Sequence, residues 1–337
     1  MKCLLPCWLP CLLPCRLPCL PPCRLPCLPP CRLLSLLAFL FAVGCGSAAA
    51  QEAPAATQEV PAAAQKVVPY RTTTHATHVG AGVVHQLDTY LSPLNYSGPQ
   101  LNFLYETLRA TRLADGRISF QSIWQGNFAY TKNRASKGRN LGGDISYDIA
   151  WHYNWRFGSV PGQAESSALT GRPSSSAASG AQPRLRVLLG PRLGANVGFL
   201  YNTRNGNNPA EALASVQLYA SAAVLCHFRL WRQPLTARYQ LDVPFMGIRF
   251  SPNYGQSYYE IFSEGHPDHN VCFTHPFNAF SSRHLLTLDF PFRRNTLRVG
   301  YLADIRQSHV NSLKYHSYSH AFLIGWVRHL QYISPRR

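Results

Sequence analysis

The chain has 337 residues, a formal net charge of +17 and eleven cysteines. Beyond residue 50 only Cys226 and Cys272 remain, which is too few for a fold held together by disulfides. Residues 1–50 hold four of the 32 Lys and Arg and none of the 15 Asp and Glu, so the rest of the chain carries +13. These basic residues do not cluster on any predicted helix, and the charge therefore does not indicate a nucleic-acid-binding protein.

The first 50 residues carry two patterns that are not typical of a folded domain. Cysteine recurs every four residues over 3–31, with proline in nearly every unit. The prolines exclude a helix, and the even cysteine spacing lacks the paired clusters of a zinc site. We interpret this tract as a translated repeat upstream of the true start codon, the alternative being a palmitoylated or metal-binding tract. The second pattern predicts a secretory signal peptide cleaved after Ala50. It consists of the basic Arg32, the apolar run 33–43 and small residues up to Ala50. Lipidation at Cys45 is the alternative to that cleavage.

Residues 51–74 are rich in Ala, Pro and Gln and predict a flexible periplasmic lead-in. From His75 onward, alternating runs are separated by turn residues, and no apolar stretch reaches the length of a helical membrane span. The runs predict ten strands at about 75–91, 99–112, 117–131, 141–157, 184–202, 211–230, 235–250, 275–290, 296–308 and 315–332.

The run 141–157, "LGGDISYDIAWHYNWRF", shows the alternation most sharply. Its odd-numbered residues are apolar or aromatic apart from one glycine, and its even-numbered residues include Asp144, Asp148, His152 and Arg156. Strands of soluble proteins are typically about 5–6 residues long. A 17-residue strand with aromatics on one face favours a barrel with lipid outside and a polar interior. A large soluble sandwich is the alternative.

The connections between the runs alternate between short and long, as in outer-membrane barrels with short periplasmic turns and longer outside loops. The short connections are 114–116, 231–234 and 291–295, and the longer ones are 91–98, 132–140, 202–210, 251–274 and 309–314. The low-complexity segment 158–183 falls where a short turn is expected, and we interpret it as an insertion. The sequence thus predicts an all-β fold: a transmembrane antiparallel up-and-down β-barrel of about ten strands over residues 75–333.

Charged side chains on the inward parity predict a filled lumen. Charges that are kept away from bulk water must pair, and acids and bases are mixed on this parity, so we expect a cross-linked polar filling without a wide channel. The predicted network comprises Asp144, Asp148, His152, Arg156, Arg192, Arg238, Asp242, Arg298, Asp304 and Arg306.

Two groups of residues carry side chains of the types found in metal or catalytic sites. One loop carries ligand types that suit zinc or copper, but it matches no closed motif, so we predict no metal and no cofactor there. That cluster is His266, Asp268, His269, Cys272 and His275. A barrel hydrolase would need a serine beside an oriented histidine. In the last strand serine and histidine have opposite parity and no catalytic signature is present, so we do not predict an enzyme.

A basic loop tip, with Lys132, Arg134, Lys137 and Arg139, could meet the phosphates of lipopolysaccharide, the alternative being a solvated turn between strands. Anionic headgroups are the expected counter-charges for an exported basic chain. We therefore expect outer-membrane lipids, lipopolysaccharide and the barrel-assembly and secretion machinery as partners, and no nucleic acid. The sequence indicates no particular small-molecule ligand.

Four strings in the chain carry a family resemblance: "YLSPLNYSGPQLNFLYETLRATRL", "GDISYDIAWHYNWRF", "LGPRLGANVGFLYNTRNGNNPAEA" and "LTARYQLDVPFMGIRFSPNYGQSYYEIF". Over about residues 75–333 the chain resembles a Bacteroidota family of exported proteins with a domain of unknown function and a predicted outer-membrane barrel. The resemblance implies the fold and an outer-membrane location, and it transfers no catalytic residue.

The leading hypothesis is a non-enzymatic barrel that acts through its outside loops, chiefly 251–274. A barrel hydrolase for lipid or peptide and a narrow solute channel are the alternatives.

Overall fold

The structure, a computed structural model, describes residues 70–111, 113–135, 137–157, 184–230, 233–292 and 295–333. The leader 1–50, most of the predicted lead-in and the insertion 158–183 lie outside the described residues. Within the described residues, every helix is too short or too polar to cross a bilayer.

The described residues form one antiparallel sheet of eleven strands that closes on itself. The strands are β1 (Tyr70–Asp88), β2 (Ser92–Ala110), β3 (Ile118–Lys132), β4 (Arg139–Phe157), β5 (Arg184–Asn202), β6 (Ala210–Leu230), β7 (Gln233–Phe250), β8 (Val271–Thr274), β9 (Ser282–Phe292), β10 (Asn295–Val310) and β11 (Leu313–Ile333). Each pairs with its neighbours, and β1 pairs with β11 along its whole length. The short β8 pairs with β7 beyond the end of β9, so the ring has ten positions. The predicted antiparallel barrel of about ten strands is confirmed.

Several strands extend further than the sequence predicts. β1 begins at Tyr70, inside the range assigned to the lead-in, and the segments 91–98 and 309–314 are mostly strand rather than long loops. β10 and β11 are joined by Asn311 and Ser312 alone, both with positive φ. Two consecutive residues of positive φ match the twist of a tight antiparallel hairpin, which explains why no longer loop is needed.

The predicted strand 275–290 begins much later than expected, at Ser282. The backbone N–H groups of Asn278 and Ala279 donate to the carbonyl of His275, which forms a turn around Pro276. Because its backbone folds into this turn, the stretch 275–281 leaves the sheet and joins the connection from β7. We call residues 251–281 the cap loop; it contains β8 and the short helix α1 (Tyr258–Phe262).

The wall of the barrel is apolar outside and polar inside. On β4, Ile145 is 61% exposed and Trp151 41% exposed, whereas Asp148 and His152 are almost fully buried. The same outward exposure of large apolar side chains recurs around the ring, up to 72% at Phe322 on β11. A soluble sandwich would bury these side chains between two sheets, and the closed single-layer sheet excludes that alternative.

Among the connections that the structure describes, the long ones lie at one end of the barrel, which we call the loop end. It carries residues 133–138, 203–209 and the cap loop, together with the tight turns 89–91 and 311–312. The first and last strand residues, Tyr70 and Ile333, lie at the opposite end, which we call the terminus end.

Two glycines allow the first and last strands to close the ring. A Cβ atom on Gly82 of β1 would collide with the backbone oxygen of His320, and one on Gly325 of β11 with the backbone oxygen of Thr77. Glycine at such points lets a sheet curve tightly enough to close.

We predict that Gly82→Val and Gly325→Val prevent closure of the barrel, because the added side chains would push the β1 and β11 backbones apart. The matched control is Gly126→Val on β3, where a Cβ meets nothing within 4 Å. The shift in gel mobility between unheated and heated protein measures closure. Normal heat-modifiable mobility of both seam variants would contradict this explanation.

Candidate functional site

Ion pairs that cross the lumen form the main polar feature of the barrel. Glu106 on β2 accepts from Arg238 on β7 at 2.6 Å and from Arg298 on β10 at 3.0 Å. β2 and β7 are five positions apart in the ten-position ring, so the Glu106–Arg238 pair spans its full width. Arg298 also binds Asp289 of the neighbouring strand through two contacts of 2.5 and 2.8 Å.

A second group of buried ion pairs lies around Arg192 on β5. Its guanidinium binds Asp148 on β4 at 2.5 Å and also binds Asp242 on β7. The hydroxyl of Ser221 donates to Asp242 at 2.5 Å and lies 2.8 Å from Nε2 of His152. Two glutamine side chains connect the two groups. Gln240 Nε2 donates to Asp242 at 3.0 Å. Gln121 Nε2 donates to Gln240 at 3.0 Å and to Glu106 at 2.5 Å.

A third group, nearer the loop end, is centred on Arg306 of β10. It binds Asp304 at 2.7 Å on its own strand and Asp144 at 3.0 Å on β4, which lies five positions away across the ring. Amides of Asn127 and Asn196 also donate to Asp144, at 3.0 and 2.9 Å. Together the three groups place charged or amide side chains from opposite walls in contact at successive levels of the lumen.

Nine of the ten residues predicted for the network lie on the inner face and take part in these contacts. The exception is Arg156, which has the inward parity but is exposed at the terminus end, where it lies opposite Arg186 in the β4–β5 register. β4 ends one residue later, so Arg156 is at the rim rather than inside the filled lumen.

Sequence reasoning missed the central acid, Glu106, and the glutamines Gln121 and Gln240. The alternation of β2 is weak, because Leu104 lies on the inner parity as well as Leu101 and Phe103 on the outer one. One signal was present: Glu106 is the sole acidic residue between Asp88 and Asp115. An isolated acid within a long strand is expected to have a buried partner.

The lumen is also partly apolar, which the sequence did not predict. A cluster of buried aliphatic side chains lines the wall formed by β2, β3 and β9 to β11. Its members are Leu104, Ile123, Leu285, Leu302 and Leu323. Ile123 lies directly opposite Glu106 in the β2–β3 register, so the cluster borders the cross-lumen ion pairs and helps to exclude water from them.

The cap loop is fastened to three other parts of the loop end. The phenol of Tyr90 donates to the carbonyl of Gln256 at 3.0 Å, and the backbone N–H of Ala212 donates to the Tyr258 hydroxyl at 2.7 Å. The side chain of Asn311, in the β10–β11 turn, donates to the carbonyl of Ser251 at 2.9 Å. The loop is therefore held against the rim rather than projecting freely.

The histidine-rich cluster of the cap loop does not converge on a metal site. His269 Nδ1 lies 2.7 Å from Asp268, but both side chains are largely exposed to solvent. The Cys272 thiol donates to the carbonyl of His269 at 3.3 Å. In the part of the chain that the structure describes, no three His, Cys, Asp or Glu side chains are grouped as metal ligands.

The serine and histidine side chains of β11 lie on opposite faces, as their parity predicts. Ser319 donates to Gln100 inside the barrel at 2.6 Å, whereas His320 lies outside, 2.8 Å from the Tyr301 hydroxyl. The contact of His152 with Ser221 differs from a catalytic triad, because Asp242 accepts from the serine and not from the imidazole.

Comparison with known proteins gives a family and several distant structures. A family model described as a protein of unknown function (DUF3316) matches residues 33–337. No curated protein matches the chain.

Solved structures similar to this chain include the transport unit of the autotransporter AIDA-I from Escherichia coli, at 8% identity and a TM-score of 0.34, covering 79% of this chain and 92% of that one. An outer-membrane channel from Pseudomonas putida F1 has 11% identity and a TM-score of 0.33, with 81% and 100% covered. The translocator domain of the autotransporter NalP from Neisseria meningitidis has 8% identity and a TM-score of 0.33, with 88% and 95% covered. Identities this low say nothing about substrate or activity.

We predict that Glu106→Gln lowers the free energy of unfolding by about 3–5 kcal/mol, because it leaves Arg238 and Arg298 buried without their shared counter-charge. The control is Glu264→Gln on the exposed surface of the cap loop, with an expected change below about 0.5 kcal/mol. Urea titration of the folded protein in detergent micelles measures both. Equal stability of the two variants would mean that the cross-lumen pairs do not support the fold.

Asp88, the last residue of β1, gives the loop end a pH dependence. Burial raises the pKa of its carboxyl to about 6, although Arg249 and the backbone N–H of Tyr90 act in the opposite direction. The phenols of Tyr258 and Tyr315 also lie within electrostatic range. Since the folded state holds this proton more tightly than the unfolded state does, the local structure is most stable below about pH 4 and loses stability up to about pH 6.

We expect amide hydrogen exchange in residues 88–91, corrected for its intrinsic rate, to become faster as the pH rises from 4 to 7. Asp88→Asn should abolish this dependence, because the amide carries no charge at either pH and can still accept from Tyr90 N. Asp268→Asn, at an exposed carboxyl of the cap loop, is the control and should retain the wild-type dependence. An unchanged pH profile in Asp88→Asn would refute the role of this carboxyl.

Proposed function

The chain belongs to the family described as protein of unknown function DUF3316, and from this premise we propose that it is a non-enzymatic β-barrel of the bacterial outer membrane with a structural or surface-interaction role. The observation that carries the proposal is the combination of an apolar exterior with a lumen crossed by buried ion pairs. This combination requires an apolar solvent around the wall and leaves little room for passage through it.

The exterior supports the membrane location. A closed sheet satisfies its backbone hydrogen bonds without water, which is the condition for strands to cross a bilayer. The large outward side chains, such as Ile145, Val197 and Phe322, are exposed and would be unfavourable in water over so continuous a surface. Trp124, Trp151 and Trp326 lie on the same face, where aromatic residues anchor barrels at membrane interfaces. The predicted signal peptide supplies the secretory route in this proposal.

The filling of the lumen supports a role other than free diffusion of solutes. The pairs Glu106–Arg238 and Arg306–Asp144 each join opposite walls, and the leucine cluster occupies part of the remaining width. Opening a path would require buried ion pairs to be separated, at a cost of about 3–5 kcal/mol each. A narrow solute channel therefore needs a second conformation of this network.

The loop end supports interaction at the cell surface. On the cap loop, Tyr254 and Phe277 are 74% and 96% exposed, and Tyr259 and Phe262 are also largely exposed. Exposed aromatic residues near a fixed loop are typical of contact surfaces. The loop between β3 and β4 adds basic residues, including Arg134 and Lys137, for the phosphates of lipopolysaccharide. Lipids, lipopolysaccharide and the barrel-assembly and secretion machinery are the partners in this proposal.

The hydrolase alternative has less support. It would need a reactive serine and an oriented histidine facing a substrate at the rim. His152 and Ser221 are in contact but are almost fully buried within the ion-pair network.

We predict that the purified full-length protein gives a conductance near zero in planar lipid bilayers, because the ion pairs join opposite walls. A variant that removes both crossings, Glu106→Ala, Arg238→Ala, Arg298→Ala, Arg306→Ala and Asp144→Ala, should admit a measurable ion leak. The control is Lys132→Ala, Arg134→Ala, Lys137→Ala at exposed loop positions, which should stay closed. Regular single-channel steps from the wild-type protein would overturn the blocked-lumen proposal in favour of a channel.

A further inference from the structure

A cavity of about 80 Å³ lies between the ion-pair network and the cap loop. The cap loop contributes Ala279 and Ser281 to its wall, and the charged residues of the wall come from β4, β5, β7, β9 and β10. These charged residues are Arg192, Arg249, Arg283, Arg306, Asp148 and Asp304. One water needs about 10–15 Å³ of such volume, so the cavity can hold a ligand of several heavy atoms.

Two of the four guanidinium groups are already neutralised. Arg192 binds Asp148 and Asp242, and Arg306 binds Asp144 and Asp304. Asp148 and Asp304, the two acids of the cavity wall, each have an arginine at 2.5 and 2.7 Å respectively. The negative charges of these two acids are therefore largely neutralised by arginines of the wall itself.

Arg283 differs from these, because most of its hydrogen-bonding capacity is unused. Its Nη1 lies 3.4 Å from Asp148 Oδ2, the same oxygen that already binds Arg192 at 2.5 Å. Its Nε and Nη2 are buried without a hydrogen-bond partner, and the side chain as a whole is only 8% exposed. Buried donors that lack a partner lose their hydration without compensation.

Arg249 provides a second guanidinium with spare capacity at the same cavity. It donates to the hydroxyl of Ser308 at 2.8 Å, but its nearest acid, Glu211, is 3.8 Å away. The neutral part of the wall includes hydroxyl and amide groups that can also donate. These belong to Ser215, Gln217 and Ser281.

We propose that this cavity binds a small oxyanion, a carboxylate or a phosphate, with Arg283 as its principal ligand and Arg249 as a second. A guanidinium with two adjacent free N–H groups matches the two oxygens of such an anion. The inference goes beyond the surface role proposed above and does not depend on it. A protein that binds the anion can be non-conducting or conducting, so the binding and conductance experiments fail independently.

The test is isothermal titration of the full-length protein, folded in uncharged detergent micelles, with inorganic phosphate and with acetate. Sodium chloride keeps the ionic strength constant. We expect saturable binding of at least one of the two anions, with a Kd on the order of 1 mM. Arg283→Gln should weaken that binding at least about tenfold, whereas Arg283→Lys should retain part of it through the remaining charge.

The matched control is Arg134→Gln, which removes the same charge at an exposed loop position and should bind as the wild type does. Ser215→Leu fills the cavity without changing its charge and should also abolish binding. If Arg283→Gln lacks heat-modifiable mobility and is therefore not folded, Ser215→Leu tests the proposal in its place. No saturable binding of either anion by the wild-type protein would show that the cavity holds water alone. Wild-type affinity in a folded Arg283→Gln or Ser215→Leu variant would place the bound anion elsewhere, and both results would overturn the proposal.

Discussion

The ion pairs that cross the lumen are the constraint on which the rest of the structure depends. A ring of ten strand positions encloses a narrow space, and charges in that space have little access to bulk water. Each charge therefore needs a partner on another strand, as Glu106 has in Arg238 and Arg298. The same pairs connect opposite walls of the lumen, so one set of contacts stabilises the fold and also underlies the proposal of a blocked lumen.

The fold could be predicted from the sequence because successive side chains of a strand point to opposite faces, so alternation of polar and apolar residues indicates which face each residue occupies. On β4 the even-numbered side chains face the lumen, where Asp144, Asp148 and His152 make their contacts. On β2 the inward residues Leu104 and Glu106 differ in polarity, so parity alone could not assign the face. The crossing contacts could not be predicted, because the two arginine partners of Glu106 lie 132 and 192 residues away in the chain and are fixed by ring size and strand stagger.

The conformation of the loop end depends partly on contacts between residues far apart in the chain, and not only on the local sequence pattern. Tight turns such as Asn311–Ser312 follow from local backbone geometry, whereas the cap loop is held by contacts to Tyr90, Ala212 and Asn311. Those contacts join residues far apart in the chain, and a sequence pattern does not reveal them. The cavity beneath the cap loop, with the unpartnered donors of Arg283, is likewise visible only once the strands are assembled.

The central claim is that lipid surrounds the outer face of the wall. Its most direct test is spin-label accessibility in a background with all eleven cysteines replaced by serine, with one label at a time replacing Ile145, Tyr147 or Trp151 on β4. In reconstituted vesicles we expect all three labels to be reached by oxygen and protected from a water-soluble nickel chelate, whereas a label replacing Arg134 is reached by the chelate. Equal access of the chelate to the β4 labels and to the loop label would contradict a lipid-facing wall.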